Sequence, residues 1–249
     1  MCGIAGFLGS GDRGDLEAMT ARLAHRGPDA SGFFIDPERG LHLGHRRLSI
    51  IDLGGGGQPM SSADGRLVVV FNGEIYNHAE LRAELAGKGH HFLTDHSDTE
   101  VLLHGWREWG ESMVGRLNGM WAFAIWDSEQ KRLFLSRDRF GKKPLYYFQR
   151  AGTFGFSSEL TSLLKHPASP RNLSELARVK YFAHGLIPAP WSAIDGIWKL
   201  PAAHNLVVEE NGSACRVSRY WRYVIEPVET SLSDNELAEE LREVVLRAT

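Results

Sequence analysis

The sequence predicts an α+β protein in which two sheets stack together with helices on the outside. Three observations carry this. Short apolar runs that read as strands outnumber the stretches with helical periodicity. Several of the helical stretches follow pairs of such runs. One run, Leu67-Val68-Val69-Val70-Phe71, is apolar throughout, as expected of a strand covered on both faces. With 249 residues the chain is long enough for one large domain, or for one domain and the start of another.

The N-terminus directs the functional reading. Met1-Cys2-Gly3-Ile4-Ala5-Gly6-Phe7 reads as a strand, with Ile4 and Phe7 as apolar anchors and Gly3 and Gly6 leaving room for other backbone. Cys2 follows the initiator methionine directly. Removal of Met1 puts a thiol and a free α-amino group on one residue, and that amine, with an ordinary pKa of about 8, is a built-in base for a nucleophile. Taken alone, Cys2 is equally well explained as a small apolar residue in an edge strand.

The rest follows in order. Leu16, Met19 and Leu23 mark a helical face. His25-Arg26-Gly27-Pro28-Asp29 is turn chemistry and hence a loop. Residues 33–36 and 41–45 read as two strands around the turn 37–40. Arg46 and Arg47 fall on opposite faces of the second strand, so one can point inward and grip a carboxylate, although two solvated arginines satisfy the same spacing. Gly54 to Pro59 reads as a lid or a surface linker, and the missing Lys-Ser/Thr sequel excludes a phosphate loop. Asn72-Gly73 is expected to close the strand at 67–71 in a tight turn, whose exposed N–H groups could form an oxyanion hole. Helices are expected over 78–88 and 101–109, the second opened by a capping box from Ser97 to Glu100. Asp98, in its first turn, suits the helix dipole and would also suit a substrate ammonium. Trp121 to Trp126 alternates large residues with alanine, a buried strand. Strands follow near 133–138, 145–148 and 154–158, a helix near 173–182, short strands to about Trp221, a polar linker to about Ser233, and an amphipathic helix over 234–246 with Leu237, Leu241, Val244 and Val245 on one stripe.

Composition excludes several classes. The net charge of −3 and the dispersed basic residues give no case for nucleic acid or a membrane surface. Two cysteines, Cys2 and Cys215, are too few for a disulfide framework, and no Cys/His spacing suggests a metal. A reducing cytoplasm fits, with no apolar stretch long enough for a membrane helix and no signal-peptide layout.

Together the motifs resemble the glutaminase domain of class II glutamine amidotransferases, and within that class the glutamine-hydrolysing asparagine synthetases. They are Cys2-Gly3-Ile4, His25-Arg26-Gly27-Pro28-Asp29, Gly44 to Asp52, Gln58-Pro59-Met60, Phe71 to Asn77, Ser97-Asp98-Thr99-Glu100, Arg137 to Tyr147 and Phe156-Ser157-Ser158-Glu159, in the family's order. The resemblance implies a four-layer αββα sandwich of the N-terminal-nucleophile hydrolase type over residues 1–205. It implies Cys2 as nucleophile, Asn72 and Gly73 as oxyanion donors, Arg47 on the α-carboxylate of glutamine, and Asp98 with Glu74 on its ammonium. Leu48, Ile50 and Ile51 would line the pocket. No cofactor or metal is expected for this half. Residues 206–249 are expected to be a linker and the first helix of a synthetase domain in cis that uses ATP and magnesium and is otherwise absent from the sequence. A homodimer and another ammonia acceptor stay open.

Overall fold

The computed structural model describes residues 1–48, 56–210, 212, 214–226 and 232–248. Its twelve strands form two antiparallel sheets of six. In the first, β1 (Gly3–Leu8) lies between β3 (Leu41–Arg47) and β9 (Thr153–Ser157). The sheet is completed by β2 (Ala30–Asp36) beyond β3, and by β8 (Tyr146–Arg150) and β10 (Ile197–Lys199) beyond β9. The second sheet runs β12 (Cys215–Arg219), β11 (His204–Glu209), β7 (Arg132–Arg137), β6 (Gly119–Asp127), β5 (Leu67–Ile75) and β4 (Met60–Ser61). β1 is therefore an interior strand, not an edge.

Alternation along β5 and β6 shows how the layers form. Val68, Val70, Ala122 and Ala124 face the first sheet and pack with Ile4, Leu43 and Phe156. Val69, Phe71, Phe123 and Ile125 face the other way, against Leu81 and Leu85 of α2 (His78–Gly87) and Leu102 and Trp106 of α3 (Asp98–Trp109). The outer face of the first sheet is covered by α1 (Arg13–Ala21) and α4 (Leu160–Leu163), through Phe7, Leu16, Met19 and Leu163. The order helix, sheet, sheet, helix is the expected four-layer αββα sandwich. Gly6 leaves room for its own sheet neighbours: a Cβ there would stand 2.7 Å from the His42 carbonyl oxygen of β3 and closer still to the Phe156 ring of β9.

A buried polar contact crosses between the sheets. His45 of β3 is 1% exposed and donates its Nε2 proton to the Phe71 carbonyl of β5 at 3.2 Å. Burial holds its pKa down to about 4, so the ring is neutral near pH 7.

Three expectations change. Asn72-Gly73 does not turn: β5 continues through Ile75, with Asn72 opposite Ala122 and Gly73 opposite Trp121. The glycine is needed there for close approach, since a Cβ would lie 2.2 Å from the Met120 carbonyl oxygen. Ser97 and Glu100 form no capping box. Ser97 makes no side-chain cap bond, and Glu100 instead accepts from the Leu93 and Thr94 amides at 2.6 and 2.8 Å. Finally, β11 and β12 carry the second sheet past residue 205, to Arg219. After β12, α5 aside (Glu175–His184, earlier in the chain), one further helix follows, α6 (Asp234–Ala248), with Leu237, Leu241 and Val244 of its apolar stripe exposed.

Candidate active site

At one end of the sandwich the two sheets frame a cleft of about 180 Å³. β1 brings Cys2 to its rim and β3 brings Arg47 and Leu48. β5 supplies Asn72, Gly73 and Glu74, and the N-terminus of α3 supplies Asp98. Seven of the nine residues singled out by sequence thus meet round one space. Ile50 and Ile51, like the rest of 49–55, lie outside the described residues.

The thiol is held by backbone. Leu48 N–H donates to Cys2 Sγ at 3.4 Å, and the thiol points back at the Leu48 carbonyl at 3.8 Å. Arg26, from the loop after α1, fixes the neighbouring backbone: its Nε donates to the Cys2 carbonyl at 3.0 Å and its Nη1 to Glu159 at 3.0 Å. Arg46 ties the same loop to β3 through the Gly27 carbonyl at 2.9 Å, on the face opposite Arg47.

Asn72 is 1% exposed, yet neither its amide nitrogen nor its amide oxygen has a hydrogen-bond partner among the described residues. An unpaired buried amide costs on the order of 1–3 kcal/mol. Such a group on a cleft wall is shaped for a ligand.

The carboxylates are unusual too. Asp98 accepts from the Ile75 N–H at 3.1 Å, but burial still pushes its pKa above the ordinary range. Burial, then the charge of Asp98, pushes Glu74 up as well. Two desolvated carboxyls facing one space favour a cation between them. Arg47 stands across from them on the other sheet.

Sequence reasoning passed over two residues. Arg26 was visible only inside its turn motif. Lys143, 5% exposed, lines the same cleft with its ammonium 3.2 Å from Met1 Sδ. Its signal was weak because Lys142-Lys143 reads as a surface pair. No group of three or more His, Cys, Asp or Glu is placed to hold a metal among the described residues, and no described helix is long and apolar enough to cross a membrane.

Residues 1–221 match the family model described as glutamine amidotransferase domain. The chain belongs to the glutamine amidotransferase domain family. Among curated relatives, this amidotransferase domain is 36% identical over 242 residues to asparagine synthetase [glutamine-hydrolyzing] 3 of Bacillus subtilis, covering 94% of this chain and 39% of that protein. It is 43% identical over 169 residues to asparagine synthetase [glutamine-hydrolyzing] 2 of Oryza sativa subsp. japonica, covering 66% and 28%. The chain therefore spans well under half the length of these relatives. In fold, the amidotransferase domain matches the solved glutamine phosphoribosylpyrophosphate amidotransferase of B. subtilis with a TM-score of 0.65 at 18% identity, over 90% of this chain and 50% of that one.

Proposed function

We propose that this domain hydrolyses glutamine to glutamate and ammonia, with Cys2 as the nucleophile once Met1 has been removed. The Cys2 α-amine takes the Sγ proton, and the thiolate attacks the side-chain amide carbon. The resulting oxyanion is met by the Asn72 side-chain amide and the Gly73 N–H. Collapse breaks the C–N bond, the α-ammonium returns its proton to the departing nitrogen, and ammonia leaves. Water then hydrolyses the γ-glutamyl thioester, releasing glutamate and restoring the thiol. Arg47 holds the α-carboxylate of the substrate, and Asp98 with Glu74 holds its ammonium. Leu48 lines the pocket and steadies Sγ.

One observation carries the reading: the buried, unpaired Asn72 amide shares a cleft with Cys2. The charges beside it, the Arg47 guanidinium on one sheet and two desolvated carboxyls opposite, Glu74 on the other sheet and Asp98 at the start of α3, match the two ends of an amino acid. The relatives add a destination. We propose that in a longer protein the ammonia reaches a synthetase domain in cis, where ATP and magnesium activate aspartate for asparagine synthesis. Cys2→Ala should abolish glutamate release in a coupled glutamate assay. Turnover of even a tenth of wild type in that variant would remove Cys2 from its role.

A further inference from the structure

Lys143 is a buried cation with an unusual partner. Its main chain is fixed on both sides, the N–H donating to Asp138 Oδ2 at 3.0 Å and the carbonyl accepting from Arg137 Nε at 2.7 Å. The same guanidinium grips the Gly141 and Leu200 carbonyls, so the loop is held rigidly. From this platform the side chain runs into the cleft, and its ammonium meets the Met1 thioether. A thioether is a weak acceptor, and Asp138 and Glu74 act on the ammonium through their charge. Burial, then the charge of Arg26, pushes its pKa below the ordinary lysine range, while Cys2, Asp138 and Glu74 pull it back up. Burying a cation against sulfur costs stability, so packing does not account for it. Removing Met1 takes the sulfur away and leaves the ammonium in the same cleft as Cys2, the new chain terminus, within reach of its charge.

We propose that Lys143 is a positioning residue for the nucleophile: its charge, beside the chain terminus, keeps the α-amine of processed Cys2 in the free-base form near neutral pH. This rests on the nucleophile role given to Cys2 above. A like charge a few ångströms away lowers an amine's pKa. An α-amine with an ordinary pKa of about 8 is roughly nine-tenths protonated at pH 7 and useless as a base; a downward shift of one unit makes about half of it competent. The same charge attracts the thiolate. It therefore offsets, at sulfur, the penalty it places on the protonated amine, and transfer of the proton from Sγ is not opposed. The other charges facing this corner are Glu74 of β5, Asp98 of α3, Arg47 of β3, Arg26 and Asp138. His25 connects to it only through Glu159 and Arg26. All stay in place in the variants below.

The test uses protein whose Met1 removal is confirmed by intact mass. Iodoacetamide modification of Cys2 is followed against pH without glutamine, with peptide mapping to separate Cys2 from Cys215. The acidic limb of kcat/KM is measured in parallel. Lys143→Gln should move both inflections up by about half to one pH unit, and Lys143→Arg should keep them where the wild type has them. Unmoved inflections in Lys143→Gln would overturn the proposal. So would an equal displacement in Lys143→Arg, because the charge would then not be what matters. Should Lys143→Gln fail to fold, ¹⁵N NMR of cysteine-labelled wild type reads the α-amine directly. A pKa below about 7.5 is expected, and one of 8 or above overturns the proposal. A protein that fails to hydrolyse glutamine yet shows the expected alkylation and NMR shifts would indict the glutaminase reading and not this one.

Discussion

At the scale of single residues, the proposed reaction separates groups by when they act. In it Asn72 meets charge that exists only in the transition state, so Asn72→Ala should lower kcat about a hundredfold or more. Arg47 in the same proposal meets a carboxylate present throughout, so Arg47→Ala should chiefly raise KM. Steady-state kinetics on both variants reads the split, and an unchanged KM in Arg47→Ala would contradict its role. His45 yields a stability prediction. Its pKa is about 4 folded against about 6.5 unfolded, so the unfolded chain binds the extra proton between those values. The stabilisation is present above pH 6.5 and is lost as pH falls toward 4. Urea unfolding should show about 2 kcal/mol less stability at pH 5 than at pH 7 from this ring. His45→Gln, which can still donate to the Phe71 carbonyl, should remove that share of the pH dependence. Cys2, Arg47 and Asp98 each had an ordinary structural explanation in the sequence, and it was their place among the family's motifs that singled them out. Lys143 was not, because nothing in a Lys-Lys pair tells which member is turned inward.

At the scale of elements, legibility followed the range of the forces involved. A continuous apolar run found β5 and the alternation of large and small residues found β6, since burial on sheet faces is a repeating, local signal. The turn expected at Asn72-Gly73 failed because pairing with β6 outweighs local turn preference. The capping box failed for a similar reason: Glu100 serves the loop at 93–94, a partner beyond the local pattern. Asp127, at the end of β6, is the clearest tie between elements. Fully buried, it accepts from Arg66 at 3.1 and 2.9 Å, from Trp106 of α3 at 2.9 Å, and from two turn amides at 3.0 Å. Burial alone would raise its pKa, but these donors hold it below the ordinary range. Asp127→Ala strands the Trp106 indole N–H and the turn amides and removes the buried partner of Arg66, which keeps only the more exposed Glu129. It should cost about 3 kcal/mol or more and lower the melting temperature by roughly 6–12 °C in a calorimeter.

At the scale of the whole molecule, the two stacked sheets with outer helices were expected from binary patterning, which specifies which faces are covered, while the gathering of the cleft was expected only from the family resemblance. Short strands to about Trp221 were expected, but their membership of the second sheet was less visible, since β12 is short, charged and largely exposed. The proposed reaction closes on groups of this chain alone. Processed protein should therefore release glutamate from glutamine without ATP, and protein that keeps Met1 or an N-terminal tag should be essentially inactive, because its Cys2 nitrogen is then an amide and not a base. Intact mass and a glutamate assay on the same samples check this. Equal rates with and without Met1 would show that the α-amine is not the base.

The unpaired amide of Asn72 sets two selective pressures against each other. A leucine of similar outline there would leave no stranded polar group, so Asn72→Leu should melt higher than wild type while losing the reaction. Paired melting and turnover measurements would reveal this. A lineage pressed only by heat would drift toward the apolar residue. The asparagine of this chain stands against that gradient, giving up stability at a buried position for a polar group that only a ligand can satisfy.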